Sequence, residues 1–583
     1  MSAPPLSCPK QARCPGCPLG AEPYEAGLAA KGRDFATALG AYPSLLPDLS
    51  TPRAAAPTLA YRLRAKLVSR GRALGLFERG SHRVIDVAGC RVLSAPLTAA
   101  SEALRELLPL PIHGADLRET SEGVLVTLLT EQSAARVALQ NAAQLLLERG
   151  AALGVAIAVR REGDVPLLSG EPEVVAGASA ARHALSATAP YAYAAHGGFV
   201  QAHAGQASYV YAEIAQGLRA RLSDATEPAV LELFAGNGSL ALALAKSGAR
   251  VTAVEAYVPA IALAERAARE QALALTAVAS DATRFMLGQA GRRFDAIVVN
   301  PPRRGLDVEL RVAIGRAAPR ALAYVSCNPH TLARDAQHLQ RLGLRLERAE
   351  PLDMIPWSDA IEALAWFVPA APPPPRVLFE DDRFLAVEKP AHEPVTDADA
   401  TRPSLARSVR LRPGCADATP LEAPGTALSG VCWFAKSASV AAELHAGQPG
   451  RSAVIERTLL VLALGNLRKQ GTVTRHRNGV GKRGARYQKQ ADVGRHSLVR
   501  VLSDDADERG TLHDFASIHH PVLGDSAHGD PASNVYLDHR HGLDRAFAHC
   551  SASRLRVDAQ TTHETQSELA PDLARVLTSL GSD

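Results

Sequence analysis

The sequence of 583 residues is poor in aromatics, which make up 4% of it, and contains only three Met and three Trp. It lacks any surplus of charge: 64 Lys and Arg stand against 60 Asp and Glu, a formal net charge of +4. Composition alone therefore does not announce nucleic-acid binding, and any such affinity must come from local basic patches. Long hydrophobic runs are missing, so no segment reads as a membrane span. The opening Met1-Ser-Ala-Pro-Pro also lacks the charged-then-apolar layout of a secretory leader. A cytoplasmic protein without membrane association is expected, and a monomer.

What is present is the material for several cores. With 47% hydrophobic and 21% charged residues the composition is globular, and the length suffices for three or four domains. The eight cysteines are unevenly placed, three of them between Cys8 and Cys17. That pattern suggests metal or cluster ligation in a reducing compartment rather than a disulfide framework. With Cys90 as a fourth thiolate, Cys8, Cys14 and Cys17 suit either tetrahedral zinc or an iron–sulfur cluster, and spacing alone does not separate the two.

Prolines punctuate the chain at residues 43–52 and again from Pro369 to Pro375. Between them, residues 51–190 carry short apolar runs such as Val124-Leu-Val-Thr-Leu-Leu and one helix-like stretch, Ala134 to Arg149, the pattern of an α+β unit. Over 191–369, apolar strands at 229–234, 250–254, 296–299 and 322–325 alternate with alanine-rich helices, which predicts an α/β, doubly wound parallel sheet. The proline run 370–375 reads as a semi-rigid spacer to a further α+β domain at 376–583. Within that domain the basic run Arg475 to Lys489 holds six Lys or Arg and no acid, and reads equally as a phosphate-binding patch or a solvated loop.

Chemistry concentrates in the doubly wound segment. Leu231-Glu-Leu-Phe-Ala-Gly-Asn-Gly-Ser239 supplies a turn of little bulk at Gly236 and Gly238 after a strand. Glu255, 19 residues beyond Gly236, falls at the end of the next strand, where an acid accepts hydrogen bonds from ribose hydroxyls. Asp281 is the polar group positioned for an adenine ring. A dinucleotide oxidoreductase shares such a turn; Asn300-Pro-Pro-Arg303 after the fourth strand favours a methyltransferase instead. Cys327, in Val325-Ser-Cys-Asn-Pro-His330, ends a strand in a polar turn rather than an apolar run, so it reads as a nucleophile and not a structural thiol. Cys415, Cys432 and Cys550 lie in no such context and read as structural.

Taken together these motifs resemble the RNA uridine-5-methyltransferases, most closely their 23S rRNA branch. The resemblance implies S-adenosylmethionine as methyl donor, Cys327 as the nucleophile that adds to C6 of uracil, and Glu362 as the base that takes the C5 proton. It also places Gln201, Phe234, Ser239 and Asn300 with Gly236, Gly238, Glu255 and Asp281 in the cofactor pocket, and Arg303 on a phosphate or the uracil carbonyl. Cys8-x5-Cys14-x2-Cys17 with Cys90 is similar to the family's [4Fe–4S] loop, which implies a structural or RNA-orienting cluster over residues 1–50. Since the chain opens on those cysteines, the extra N-terminal RNA-binding barrel of some relatives is expected to be absent. Some relatives carry Asp at Asn300, Asn at Ser239, and His at Ala360, so those contacts differ here.

Beyond the prolines, Val377-Leu-Phe-Glu-Asp-Asp-Arg-Phe-Leu-Ala-Val-Glu-Lys-Pro390 and His520-Pro-Val-Leu-Gly-Asp resemble RluA-type pseudouridine synthases. The aspartate their chemistry requires falls on Gly425 or, with a short insertion, on Glu422, so this domain is expected to keep the fold and lose the catalysis. The leading expectation is C5 methylation of uridine in RNA, 23S rRNA ahead of tRNA. A cytosine-5 RNA methyltransferase, and a catalytically silent RNA-binding or ribosome-assembly protein, are the alternatives.

Overall fold

The computed structural model describes residues 4–131, 136–160, 171–289, 292–398, 402–446, 454–477, 480–503 and 508–581. Its centre is an eight-stranded sheet in the order Asp48–Leu49, Leu344–Leu352, Glu362–Pro369, Ala321–Ser326, Ala296–Val299, Ala229–Leu233, Arg250–Glu255, Leu275–Ala279. Strands expected from the apolar runs appear within a residue or so of their predicted bounds. Leu231 and Leu233 enter one core layer and Val230 the other, so both faces of the sheet are covered. Strands buried on both faces have no polar side, which is why they read as continuous apolar runs.

The pairing is parallel except for Glu362–Pro369, which runs antiparallel to both neighbours. The order reverses at Ala229–Leu233, which lies between Arg250–Glu255 and Ala296–Val299. A crevice opens beyond the carboxyl ends of strands at such a switch point, and ligands bind there.

Residues 1–50, expected as one cluster-bearing segment, divide between two neighbours. The helix Tyr24–Gly40 and the strand Asp48–Leu49 belong to the central sheet, and Phe35, Leu39, Tyr42 and Leu45 share a core with Leu231 and Tyr324. The cysteine loop before them packs on the second unit, a seven-stranded sheet spanning Arg64–Arg70 to Glu173–Gly177, with helices Ala95–Glu106 and Arg136–Glu148. Ser94 caps the first of these helices, its side chain accepting from Leu97 N.

The C-terminal unit is built on ten strands, from Val377–Glu380 to Thr562–Gln566. Its basic run, read equally as a phosphate-binding patch or a solvated loop, falls in a hairpin of Gln470–Arg477 against Val480–Val493; the side chains of 474–484 lie outside the described residues. The proline run has no regular structure, as expected of a spacer, yet the units it joins are clamped together. Arg341 binds Glu393 through two hydrogen bonds of 2.8 and 2.9 Å and reaches Ser408. Arg311 and Arg334 reach Asp544 at 2.6 and 3.4 Å, and both also contact Asp335. Among the described residues no helix is long and apolar enough to cross a membrane.

Candidate active site

The glycine turn after Ala229–Leu233 forms as the sequence requires. Gly236 and Gly238 take φ of +57° and +74°, and a Cβ on Gly238 would stand 2.6 Å from that of Ala264. Phe234, also at positive φ (+61°), begins the turn and packs on the core. Glu255 ends the adjacent strand and accepts from Gly236 N at 3.0 Å and from Tyr257 N at 2.9 Å. Its carboxylate thus holds the glycine turn and keeps lone pairs for a ligand. Asp281 follows the next strand, paired through Ala279 to Glu255, and one of its oxygens caps the helix Ala282–Leu287 by accepting from Arg284 N. Ser239 donates to Asn237 at 2.8 Å, and Gln201 is buried near Tyr211.

On the other side of the switch point, Asn300 follows Val299 and Cys327 follows Ser326. Val299 pairs with Tyr324, so both turns leave the sheet at the same edge. The two are stitched together: Asn328 Nδ2 and Thr331 Oγ1 donate to Arg303 O, and Arg334 Nη2 donates to Arg304 O. Asp335 accepts from Leu306 N and the Tyr324 hydroxyl at 2.7 and 2.9 Å. Gly305 at φ +78° lies against that carboxylate, where a Cβ would come within 2.5 Å.

Strand register brings the proposed nucleophile and base together. Val325 pairs with Leu364 and Ser326 with Ala363, so one further step sets Cys327 across from Glu362. Burial pushes the Cys327 thiol up, the Glu362 charge pushes it further, and Arg303 opposes both. Burial likewise raises Glu362 to about 7, with Arg303 pulling it down. A carboxyl titrating near neutrality beside a half-buried thiol and one guanidinium is the electrostatic setting of general acid–base and nucleophilic chemistry.

One acid escaped the sequence reading. Glu232, in the strand before the glycine turn, is 2% exposed, has an Oε2 with no hydrogen-bond partner, and is pushed up to about 8 by burial. An acid inside an apolar strand run was the available signal.

Cys8, Cys14, Cys17 and Cys90 are half-buried free thiols lining one cavity of about 40 Å³. Burial, with the nearness of Cys90 and Cys8, raises Cys14, and burial with Cys90 and Cys14 raises Cys17 to about 12. A bound cationic centre relieves that cost by taking the thiolates as ligands, so the donor set fits such a group. As placed, however, no group of three or more His, Cys, Asp or Glu among the described residues is positioned to hold a metal ion. Cys415, Cys432 and Cys550 are buried, as structural thiols are.

In the C-terminal unit Glu422, 6% exposed, accepts from Arg457 Nε at 2.7 Å and from Trp433 N at 3.0 Å. Arg457 is itself 2% exposed. The carboxylate is sealed in an ion pair.

A switch-point crevice with a glycine turn and an acid at the next strand end is the cofactor site of a doubly wound methyltransferase, and a cysteine and a glutamate stand at its edge. The family model described as tRNA (Uracil-5-)-methyltransferase matches residues 217–368. The chain is 33% identical over 376 residues to the 23S rRNA (uracil(1939)-C(5))-methyltransferase RlmD of Pseudomonas putida, covering 61% of this chain and 78% of that one. It belongs to the RNA uracil-5-methyltransferase family. Among solved structures it is similar to the Pyrococcus abyssi tRNA (uracil-54, C5)-methyltransferase bound to S-adenosyl-L-homocysteine, with 21% identity and a TM-score of 0.49 over 62% of this chain and 87% of that one. Human RNA pseudouridylate synthase domain containing 1 is also similar, with 15% identity and a TM-score of 0.28 over 33% and 83% of the two chains.

Proposed function

We propose that this enzyme methylates C5 of a uridine in 23S rRNA, with Cys327 as nucleophile and Glu362 as base. The observation that carries the reading is the register that sets Cys327 across from Glu362, beside Arg303, at the sheet edge. C5 of uracil is a poor nucleophile. The Cys327 thiolate adds to C6, and the ring becomes an enolate whose C5 bonds to the methyl group that S-adenosylmethionine supplies. Glu362 then takes the C5 proton, the C5–C6 double bond re-forms, and the thiolate leaves. Arg303 offsets negative charge on both residues while substrate is held. Gly236, Gly238 and Glu255, with Gln201, Phe234, Ser239, Asp281 and Asn300, are the residues that would hold the donor, and Glu232 adds an unpartnered carboxylate oxygen beneath the same turn.

The test is adduct trapping on rRNA transcripts. Glu362→Gln should accumulate protein covalently bound to RNA, while Cys327→Ala should trap nothing and transfer no methyl group. Near-normal turnover by Cys327→Ala would overturn the assignment, and a methylated cytosine among the products would move the enzyme to the cytosine-5 class.

The shared cavity supports Cys8, Cys14, Cys17 and Cys90 as ligands of a [4Fe–4S] cluster with a structural or RNA-orienting task. Protein purified without oxygen should be brown and contain iron and sulfide; a colourless protein with stoichiometric zinc would refute the cluster. The C-terminal unit is proposed as a pseudouridine-synthase-like module without that activity. Gly425 has no carboxylate, and that of Glu422 is occupied by Arg457 and Trp433 N. Any pseudouridine made by the wild-type chain and lost in Glu422→Ala would reverse this.

A further inference from the structure

A cleft of about 540 Å³ lies between the methyltransferase unit and the C-terminal unit. One wall is the pair of turns flanking the nucleophile, through Arg303, Arg304 and Asn328. The facing wall comes from the C-terminal helices Pro531–His541 and Pro571–Gly581, through Arg540 and Arg575. Arg303, Arg304, Arg540 and Arg575 are all exposed.

Five arginines and three acids line this cleft, the fifth arginine being Arg334 and the acids Asp538, Glu568 and Asp572. Arg334 is committed to Asp335 and Asp544, and Asp572 to Arg545 at 2.6 and 3.0 Å. Arg540 too is held by a partner, so the balance is that of the lining as a whole, five arginines to three acids, with Asp538 reaching Arg304 at 3.6 Å. The excess is positive on a chain whose overall charge is nearly balanced. Arg303 borders the cleft and its charge also bears on the Cys327 thiol, and Asn328, the next residue after Cys327, lines the cleft, so the cleft lies beside the turn that carries the sulfur.

Resting on the uridine methyltransferase reading of the same site, we propose that this cleft carries the phosphodiester backbone of the RNA strand next to the target uridine. The C-terminal unit thereby acts as half of the substrate clamp for methyl transfer, with Arg540 and Arg575 as phosphate contacts, instead of as a separate modifying enzyme. A base presented to Cys327 must bring its own phosphate past Arg303, and the neighbouring phosphates then meet cations from both units. Planar guanidiniums match phosphate oxygens two at a time, which suits a track that positions without reading sequence. The ion pairs of Arg311 and Arg334 with Asp544, and of Arg341 with Glu393, fix the spacing of the two walls before RNA arrives.

The test uses the full-length chain and a 23S rRNA transcript, with Arg540→Ala, Arg575→Ala, the double variant, and Arg540→Lys with Arg575→Lys. Filter binding at several salt concentrations gives the slope of log affinity against log salt, and methyl transfer gives KM and kcat. The double alanine variant should lower the slope by about 2, since each phosphate contact contributes about 0.7–0.9. KM for RNA should rise roughly tenfold or more, with the loss falling on KM and not on kcat at saturating RNA, and the lysine variant should recover most of the salt slope. An unchanged slope and KM in the double variant would overturn the clamp even if wild type methylates normally. A wild type that binds RNA with the slope difference but transfers no methyl group would instead sink the methyltransferase reading and leave the cleft as an RNA site. Retained thermal stability of each variant guards against a folding defect, and a slope unchanged in well-folded protein counts against the proposal.

Discussion

Glu362 and Cys327 titrate in the same direction for the same reason, since burial disfavours the charged form of each. The proposed mechanism needs both deprotonated, so the single-turnover rate should climb with pH through about 7, the value to which Glu362 is raised. A flat profile between pH 6 and 8 would contradict this. The same shift bears on stability. A carboxyl whose folded pKa lies above its unfolded value of 4.5 holds its proton better in the fold, so its contribution is present below pH 4.5 and is lost as pH rises through 7. Glu362→Gln should therefore melt higher than wild type at pH 8, the difference shrinking to nothing near pH 4. Calorimetry at the two pH values checks it. At this scale Cys327 and the glycine pair stand out in the sequence, because a cysteine in a polar turn and a glycine pair after a strand are local signals, whereas Glu362 is picked out by the resemblance alone. The adjacency of Cys327 and Glu362 was not, because it depends on an antiparallel strand returning with a particular register.

The elements of the doubly wound sheet were legible because strands covered on both faces are unbroken apolar runs, and helices between them are rich in Ala. The division of residues 1–50 was not, since nothing local says that Phe35 and Leu39 pack beside Tyr324 and not beside the cysteines. The glycine turn separates two kinds of constraint. Gly236→Ala adds a Cβ into open space and meets only the strain of a left-handed backbone, about 1–2 kcal/mol. Gly238→Ala carries the same strain and also drives its Cβ into Ala264. Calorimetry of the ligand-free protein should show Gly238→Ala losing clearly more stability than Gly236→Ala. Equal losses would mean that the helix of Ala264 yields.

Across the whole molecule, the seam joins residues as far apart as Arg311 and Asp544, 233 positions in sequence, so no motif could announce it. Asp544 is held well below the usual carboxylate range, the pull of Arg334 and neighbouring His392 and Arg311 outweighing its burial. Removing it leaves Arg311 and Arg334 buried without that partner, a change that costs about 3–5 kcal/mol in comparable cases. Asp544→Ala should split a single calorimetric transition into two, one for each side of the seam, and should expose the proline run 370–375 to proteolysis. One unchanged transition would show that packing elsewhere holds the units together. Acid should loosen the seam by the same logic. Burial lowers His392, so its neutral form contributes stability that falls away below about pH 6.5, and the stability from the charge of Asp544 starts to decline only below about pH 3.8, its unfolded value, as pH falls toward its lower folded value.

A seam joined by ion pairs also bears on how the chain is made. At roughly 5–20 residues per second, the residues beyond Pro369 take about 10–40 s to leave the ribosome after the methyltransferase unit is complete. During that wait the face destined for the seam carries Arg311 and Arg334, which Asp335 of the same unit already pairs, and Arg341, whose guanidinium water solvates readily. A face of leucines in the same place would invite the half-made protein to stick to its neighbours. The pairing with Asp335, which also accepts from Leu306 N and the Tyr324 hydroxyl, ties the turns after Val299 and Ser326 within the first unit before the second arrives to close over it.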